Sequence, residues 1–214
     1  VNGETATVTA TGSQTEVGFS ENKAVISWDG TAKESNYVVE YINGRLEVTP
    51  ADAAQLGLEF AGKEVVYNAA NQNLNPAAVT VVKGTKITYS TDKKTWTEEM
   101  PAFYDAGKYT VYARAENSNY ETAEVSAVLT ITQAPLTVTT KSAERKYTGQ
   151  ALTAPGSIEG WMGNDDNIAS FAVTGSQTNV GESTNSYTIT WNNVKETNYK
   201  IEETLGTLKI ATAP

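Results

Sequence analysis

Thr11-Gly12-Ser13-Gln14-Thr15-Glu16-Val17-Gly18 returns later in the chain as Thr174-Gly175-Ser176-Gln177-Thr178-Asn179-Val180-Gly181, differing only at Glu16 and Asn179. Each copy is followed by a β-rich run ending in Trp, Ile26-Ser27-Trp28 and Ile189-Thr190-Trp191. An Asn-Tyr pair comes next (Asn36-Tyr37; Asn198-Tyr199), then a Gly-x-Leu-x-Val/Ile run (Gly44 to Val48; Gly206 to Ile210). A plan that recurs in strand-forming sequence predicts an array of small β modules, each burying a modest interior.

Composition limits what such an array does. The 214 residues suffice for two or three small modules. With 25 acidic against 16 basic residues the net charge is −9, which disfavours nucleic acid because phosphate recognition needs clustered Lys and Arg. There is no His and no Cys, which removes imidazole bases, thiol nucleophiles, the usual zinc sites and disulfides. No apolar run reaches membrane-spanning length, and the N-terminus carries no signal peptide. The chain reads as a piece of a longer protein.

Thr, Val, Tyr and Ile alternate with polar residues, as in Thr5-Ala6-Thr7-Val8 and Tyr109-Thr110-Val111-Tyr112-Ala113, and Gly, Asn and Asp clusters separate the runs. The best helical candidate, Pro50-Ala51-Asp52-Ala53-Ala54-Gln55-Leu56, reads as a linker with local helical tendency. A middle segment shares the frame: Gly107 begins a strand, and Tyr120 precedes Leu129 by the interval that separates Tyr37 from Leu46 and Tyr199 from Leu208. That constant interval fits an antiparallel pair joined by one turn. Boundaries fall near Pro50 and Pro135, since Pro stiffens a joint. The expected division is 1–49, an incomplete module; 50–134, a complete module of a related type; and 135–214, a complete module homologous to the first. The first copy would lack about two strands. Its exposed edge invites completion by another chain, as in strand exchange with a second copy through residues 1–49, or packing against the middle module.

Asp105-Ala106-Gly107-Lys108-Tyr109 is similar to the entry to strand F of immunoglobulin folds, where the Tyr hydroxyl bonds back to the backbone. The expected class is therefore all-β, tandem small antiparallel β-sandwich modules of immunoglobulin-like type, with β-grasp modules as the alternative. Interior residues would include Val8, Ile26, Trp28, Ile87, Trp96, Tyr109, Val111, Leu129, Phe171, Ile189, Trp191 and Leu208.

The punctuation resembles the MBG and YDG repeats of large bacterial surface and adhesin-like proteins. Tyr147-Thr148-Gly149 stands where such repeats carry Tyr-Asp-Gly, with Thr for Asp. Asn2-Gly3-Glu4 and Gly163-Asn164-Asp165-Asp166 resemble their Asn-Gly-Asp loop. Val180-Gly181, Asn198-Tyr199 and Gly206 to Ile210 match their closing half. Tyr89 to Trp96 and Tyr104 to Tyr109 resemble a related type. The resemblance implies an extracellular, surface-exposed or secreted bacterial protein, and no reaction, cofactor or metal.

Candidate sites are few. Trp28 and Trp191 share a strand face with Ile26 and Ile189, so packing is favoured over sugar stacking. Trp96 is expected to pair across a hairpin with Tyr89. Trp161, between Gly160 and Met162-Gly163, is the one candidate ligand-binding residue. Ser90 to Trp96 is similar to the Asp-box hairpin of sialidases but lacks its Gly and is one residue short; it reads as a turn. Asn164-Asp165-Asp166 offers oxygen ligands for calcium, yet adjacent residues lack the spacing of a dedicated loop. Glu98-Glu99, Asp165-Asp166 and Glu202-Glu203 point to opposite faces of a strand and are not placed for acid/base work. A Lys–Asn cross-link would need an Asn on the closing strands, which carry none. The expected role is a non-catalytic spacer displaying an adhesive or other distal domain. Alternatives are a carbohydrate- or host-protein-binding module, or an ancillary part of a secreted enzyme.

Overall fold

The computed structural model describes residues 3–213. Among them the structure is all-β, with sixteen strands, four short 3-10 turns and no α-helix. No helix is long and apolar enough to cross a membrane. Packing divides the chain into two units, one of residues 1–59, 78–88 and 113–125 and one of residues 60–77, 89–112 and 126–214.

The first segment holds β1 (Ala6–Ala10), β2 (Gly18–Asn22), β3 (Ala24–Trp28) and β4 (Gly44–Val48). β1 pairs with β3 and β2 with β4, both antiparallel. The middle segment holds β5 (Lys63–Val66), β6 (Lys86–Ser90), β7 (Gly107–Glu116) and β8 (Ala123–Thr132), in the order β5-β8-β7-β6. The last segment holds β9 (Ala134–Thr140), β10 (Ala143–Lys146), β11 (Gly156–Glu159), β12 (Ser170–Val173), β13 (Gly181–Thr184), β14 (Tyr187–Thr190), β15 (Tyr199–Thr204) and β16 (Thr207–Ala211). These form the sheets β11-β9-β15 and β10-β16-β13 and the two-stranded sheet β12-β14.

The twin phrases mark twin structures. Val8 lies opposite Ile26 as Phe171 lies opposite Ile189. Gly18 lies opposite Val48 as Gly181 lies opposite Ile210, and Ser20 opposite Leu46 as Ser183 opposite Leu208. The Gly that opens the repeated phrase is explained by contact: a Cβ on Gly12 would sit 2.5 Å from the Asn22 Cα, and one on Gly175 2.5 Å from the Asn185 Cα. The Gly that closes it has φ +138° at Gly18 and +137° at Gly181, a left-handed region that β-carbons resist.

What differs is cover. Among the described residues of the first segment nothing corresponds to β9, β10 and β11, three strands where about two were expected. β15 forms by parallel pairing with β9, so the matching residues Tyr37–Ile42 are not a strand. In the last segment alternate residues of β9, namely Ala134, Leu136, Val138 and Thr140, are buried. Leu152, Ala154, Leu208 and Ile210 form a buried cluster, with Ala143 packed against it. In residues 3–49 Ala32 alone is buried, and Val8 is 65 % exposed. The expectation of a packed interior in the first segment is corrected on this point. Of the expected interior residues, Val111, Leu129 and Leu208 are fully buried, while Ile26, Trp28, Ile87, Trp96, Tyr109, Phe171, Ile189 and Trp191 are half-buried.

Three further readings change. The interval from Tyr199 to Leu208 does not span an antiparallel pair, because β15 and β16 belong to different sheets and the intervening turn carries the chain from one to the other. Not every pairing is antiparallel: β5 with β8, β10 with β16 and β15 with β9 are parallel. Pro135 is the second residue of β9 rather than a linker, and only Gln133 separates β8 from β9. Pro fits there because β11 covers β9 only from Thr137 onward, so no ladder on that side needs its N–H. Ala53–Leu56 is a 3-10 turn whose Asp52 side chain accepts from the Ala54 N–H at 2.7 Å, with Leu56 buried beneath it.

The corner read from Asp105 to Tyr109 is present. The Tyr109 hydroxyl donates to the Asp105 carbonyl at 2.9 Å as β7 begins. Tyr109→Phe deletes that bond without altering the ring, and is expected to cost about 1 kcal/mol by urea denaturation. The hairpin after β6 is also a turn: the Asp92 carboxylate accepts from the Lys94 and Thr95 N–H groups at 2.8 and 2.9 Å. Those bonds hold its carboxyl below the usual range. The register partner of Tyr89 is Thr97, one residue beyond Trp96, and Tyr89 packs on Phe60 with centroids 5.7 Å apart. A register one residue longer than expected accounts for this.

Candidate functional site

The densest polar and aromatic cluster lies where the middle segment meets the last, within the second unit. It is built from the Gly-Asn-Asp-Asp loop outward. Gly163 (φ +56°) turns the chain, a Cβ there would lie 2.7 Å from Ala69 Cβ, and Asp165–Asn167 then forms a 3-10 turn. That turn buries Asp165. Its Oδ2 accepts from the Tyr67 hydroxyl at 3.0 Å and from the Tyr199 hydroxyl at 2.6 Å, and the Met162 N–H donates to Tyr199 Oη at 2.9 Å. Burial first, and then hydrogen bonding, raises both phenols well above the ordinary tyrosine value: for Tyr67 to Tyr104 and Asp165, for Tyr199 to Asp165.

Around this centre the rings interlock edge to face. Tyr67 meets Tyr104 and Tyr199 at 5.8 and 5.5 Å, and Trp161 meets Tyr199 and Trp191 at 5.2 and 5.6 Å. Trp161 is therefore half-buried with its edges engaged. A cleft of about 280 Å³ beside the cluster is lined by Tyr67, Tyr104, Asp105, Asp165 and Lys195, and Trp161 is not in its wall. Asn164 and Asp166, the other candidate calcium ligands, both accept from Asn167 Nδ2, at 2.7 and 3.0 Å. Asn2, of the matching first-segment loop, lies outside the described residues; Glu4 accepts there from the Tyr37 hydroxyl, and Trp28 stacks on Tyr37 at 5.1 Å.

A second polar knot lies close by. Lys195 Nζ pairs with Asp105 Oδ2, Asn198 Nδ2 donates to Asp105 Oδ1 at 3.1 Å, and the Ala106 N–H donates to Asn198 Oδ1 at 2.7 Å. Lys, Asn and an acid thus meet away from the closing strands where sequence reasoning sought them. Their chemistry is ionic: the bond from Lys195, then that from Asn198, lowers the Asp105 pKa, and Asp105 raises that of Lys195. Amide formation needs a neutral amine in an apolar pocket, whereas the Lys195 side chain is 63 % exposed. The intact mass is expected to equal that of the sequence, with no loss of water or ammonia. A carboxyl depressed in the fold stabilises above its unfolded pKa of about 3.9 and ceases to as pH falls through its lower folded value. The contact is thus constant at neutral pH and weakens only in strong acid, which Asp105→Asn should mimic in a pH series of melting temperatures.

Sequence reading missed one feature. Tyr187, Ile189 and Trp191 line an open depression of about 390 Å³ with Glu196, Ile201 and Glu203. Tyr187 donates to Glu203, and burial first, then that bond, pushes its hydroxyl up to about 12. Period-two alternation along β14 carried the signal, but read as a core face. The described residues contain no cluster of three or more His, Cys, Asp or Glu able to hold a metal.

The described residues thus form an all-β structure built of several small sheets, with the cluster inside its second unit. Residues 136–209 match the family model of the MBG domain, YGX type. The match spans β9 to β16, and so includes the Tyr147-Thr148-Gly149 turn, where Gly149 has φ +77°. No curated protein matches the chain.

Proposed function

We propose that this chain is a non-catalytic spacer from a bacterial surface protein, holding an adhesive or other distal domain away from the cell envelope. The observation that carries the reading is the joint between β8 and β9. It is a single residue long, and Gln133 Nε2 donates to the Thr197 and Tyr199 carbonyls at 3.0 and 2.9 Å. Across the joint stand the Tyr67–Asp165–Tyr199 bonds and the Asp105–Lys195–Asn198 knot. Free hinges serve display poorly, because a flexible linker loses reach as its segments fold back. Backbone relaxation should give residues 89–112 and 134–211 a single tumbling time; independent tumbling would defeat the reading.

A second reading, a carbohydrate-binding module, is favoured by the Tyr187–Trp191 depression, whose apolar ring faces flanked by carboxylates suit a sugar's CH and OH groups. Glycan-array binding lost on Trp191→Ala would establish it over the spacer. Loss on Trp161→Ala instead would assign the site to the loop.

A further inference from the structure

The first segment keeps every pairing that the last segment makes without β9–β11, in the same register, yet the residues those strands would cover lie open. Tyr199 is 3 % exposed and Leu208 and Ile210 are buried, whereas their counterparts Tyr37, Leu46 and Val48 are half-buried. Asn198 and Asn185 are buried, and their counterparts Asn36 and Asn22 are not. In the last segment Asn185 Nδ2 donates to the Lys141 and Ala154 carbonyls, each at 3.0 Å, and Thr140 Oγ1 donates to the Asn185 carbonyl at 2.7 Å; all three partners belong to the β9–β11 region.

We infer that the face made by β1–β4 is an acceptor for a polypeptide segment built on the β9–β11 pattern. Its first strand would bury small and branched residues alternately, as Ala134, Leu136 and Val138 do. It would pair in parallel with Tyr37–Ile42, which would then become a strand as Tyr199–Thr204 does beside β9. The β9–β11 segment of the described residues is already placed in the last segment, so it is not free to serve the first.

Charge specifies the occupant further. In the last segment β10 lies parallel to β16 with Glu144 beside Lys209, at 3.6 Å between charged atoms. The position of Lys209 is taken in β4 by Glu47, which pairs with its own-strand neighbour Arg45 at 3.3 Å. The donor should therefore carry Lys or Arg where β10 carries Glu144, because like charges directly opposed repel.

The test copies residues 134–165 ahead of Gly3 in the full chain, alongside a fusion of the same residues scrambled. Hydrogen exchange at Tyr37–Ile42, Leu46 and Val48 is expected to slow about tenfold or more in the patterned fusion alone. Glu144→Lys within the added copy should slow it a further twofold to fivefold, the range of exposed ion pairs. Equal exchange in the patterned and scrambled fusions overturns the inference. So does a dimer of the natural chain that already protects these amides. Should the fusion not fold, a peptide of residues 134–160 titrated into the natural chain decides: amide shifts at Tyr37–Ile42 and Leu46 support the acceptor face, and their absence at peptide excess refutes it.

Discussion

Leu208→Ala is expected to destabilise the last segment by about 3 kcal/mol, while Leu46→Ala, at the matching position of the first, is expected to cost less than about 1 kcal/mol. The two leucines occupy the same register, Leu46 opposite Ser20 and Leu208 opposite Ser183. They differ in what covers them. Leu208 is fully buried among Leu152, Ala154 and Ile210, on a strand flanked by β10 and β13, so truncation leaves a cavity in addition to the lost transfer energy. Leu46 is half in water already, and the space its removal opens is continuous with solvent. Native-state hydrogen exchange on β13 and β16 for one variant, and on β2 and β4 for the other, reads each segment separately. Equal losses would mean that the first segment holds an interior of its own. In the patterned fusion Leu46→Ala should approach the cost of Leu208→Ala.

The same pair of leucines shows how far the sequence could be read. The twin phrase and the Trp, Asn-Tyr and Gly-x-Leu marks that follow it are local turn and register devices. Gly18 and Gly181 are needed for a positive φ, and Gly12 and Gly175 for close approach to an Asn. Such constraints act within a few residues and survive in sequence, which is why the module type was legible. Cover is not local. Whether Leu46 is buried depends on strands it does not neighbour in sequence, and alternation alone made Val8 and Leu208 look alike. Parallel pairing was hidden for a related reason: the partners β9 and β15 are separated by most of a module, and no turn residue records their register. Trp161 illustrates the remainder. Its flanking glycines read as exposure, but Gly160 (φ +107°) comes so near Pro135 that a Cβ would lie 2.4 Å from its carbonyl oxygen, and the loop folds the indole onto Trp191 and Tyr199. Asp165, the centre of the cluster, was visible only as one acid among three, because its two donors come from distant parts of the chain.

Asp165→Ala should be the most damaging single change at that cluster, costing about 3 kcal/mol. The carboxylate accepts two phenolic hydroxyls while buried, and hydrogen bonds to a charged acceptor contribute about 1.5–3 kcal/mol each, not fully additively. Removing it leaves Tyr67 and Tyr199 with buried hydroxyls and no acceptor at that point. Asp165→Asn keeps an oxygen and should lose roughly half as much. Tyr67→Phe combined with Asp165→Ala should then cost less than the sum of the two alone, because each change removes the same bond. Titration supplies an independent readout. A phenol whose folded pKa is raised stabilises the fold below its unfolded value of about 10, and that contribution is lost as pH rises through the folded value. In the native protein, phenolate absorbance should therefore develop in two stages, with Tyr67 and Tyr199 among the late group. Without Asp165 the two lose one cause of their elevation and should ionise earlier, and the alkaline unfolding midpoint should move. If Asp165→Ala left both the stability and the late phenolate stage unchanged, the clamp between the middle and last segments would have to reside in the Asp105–Lys195–Asn198 knot and the Gln133 bonds. That knot is partly solvated and worth little by comparison, so the case for a stiff joint would fall with it.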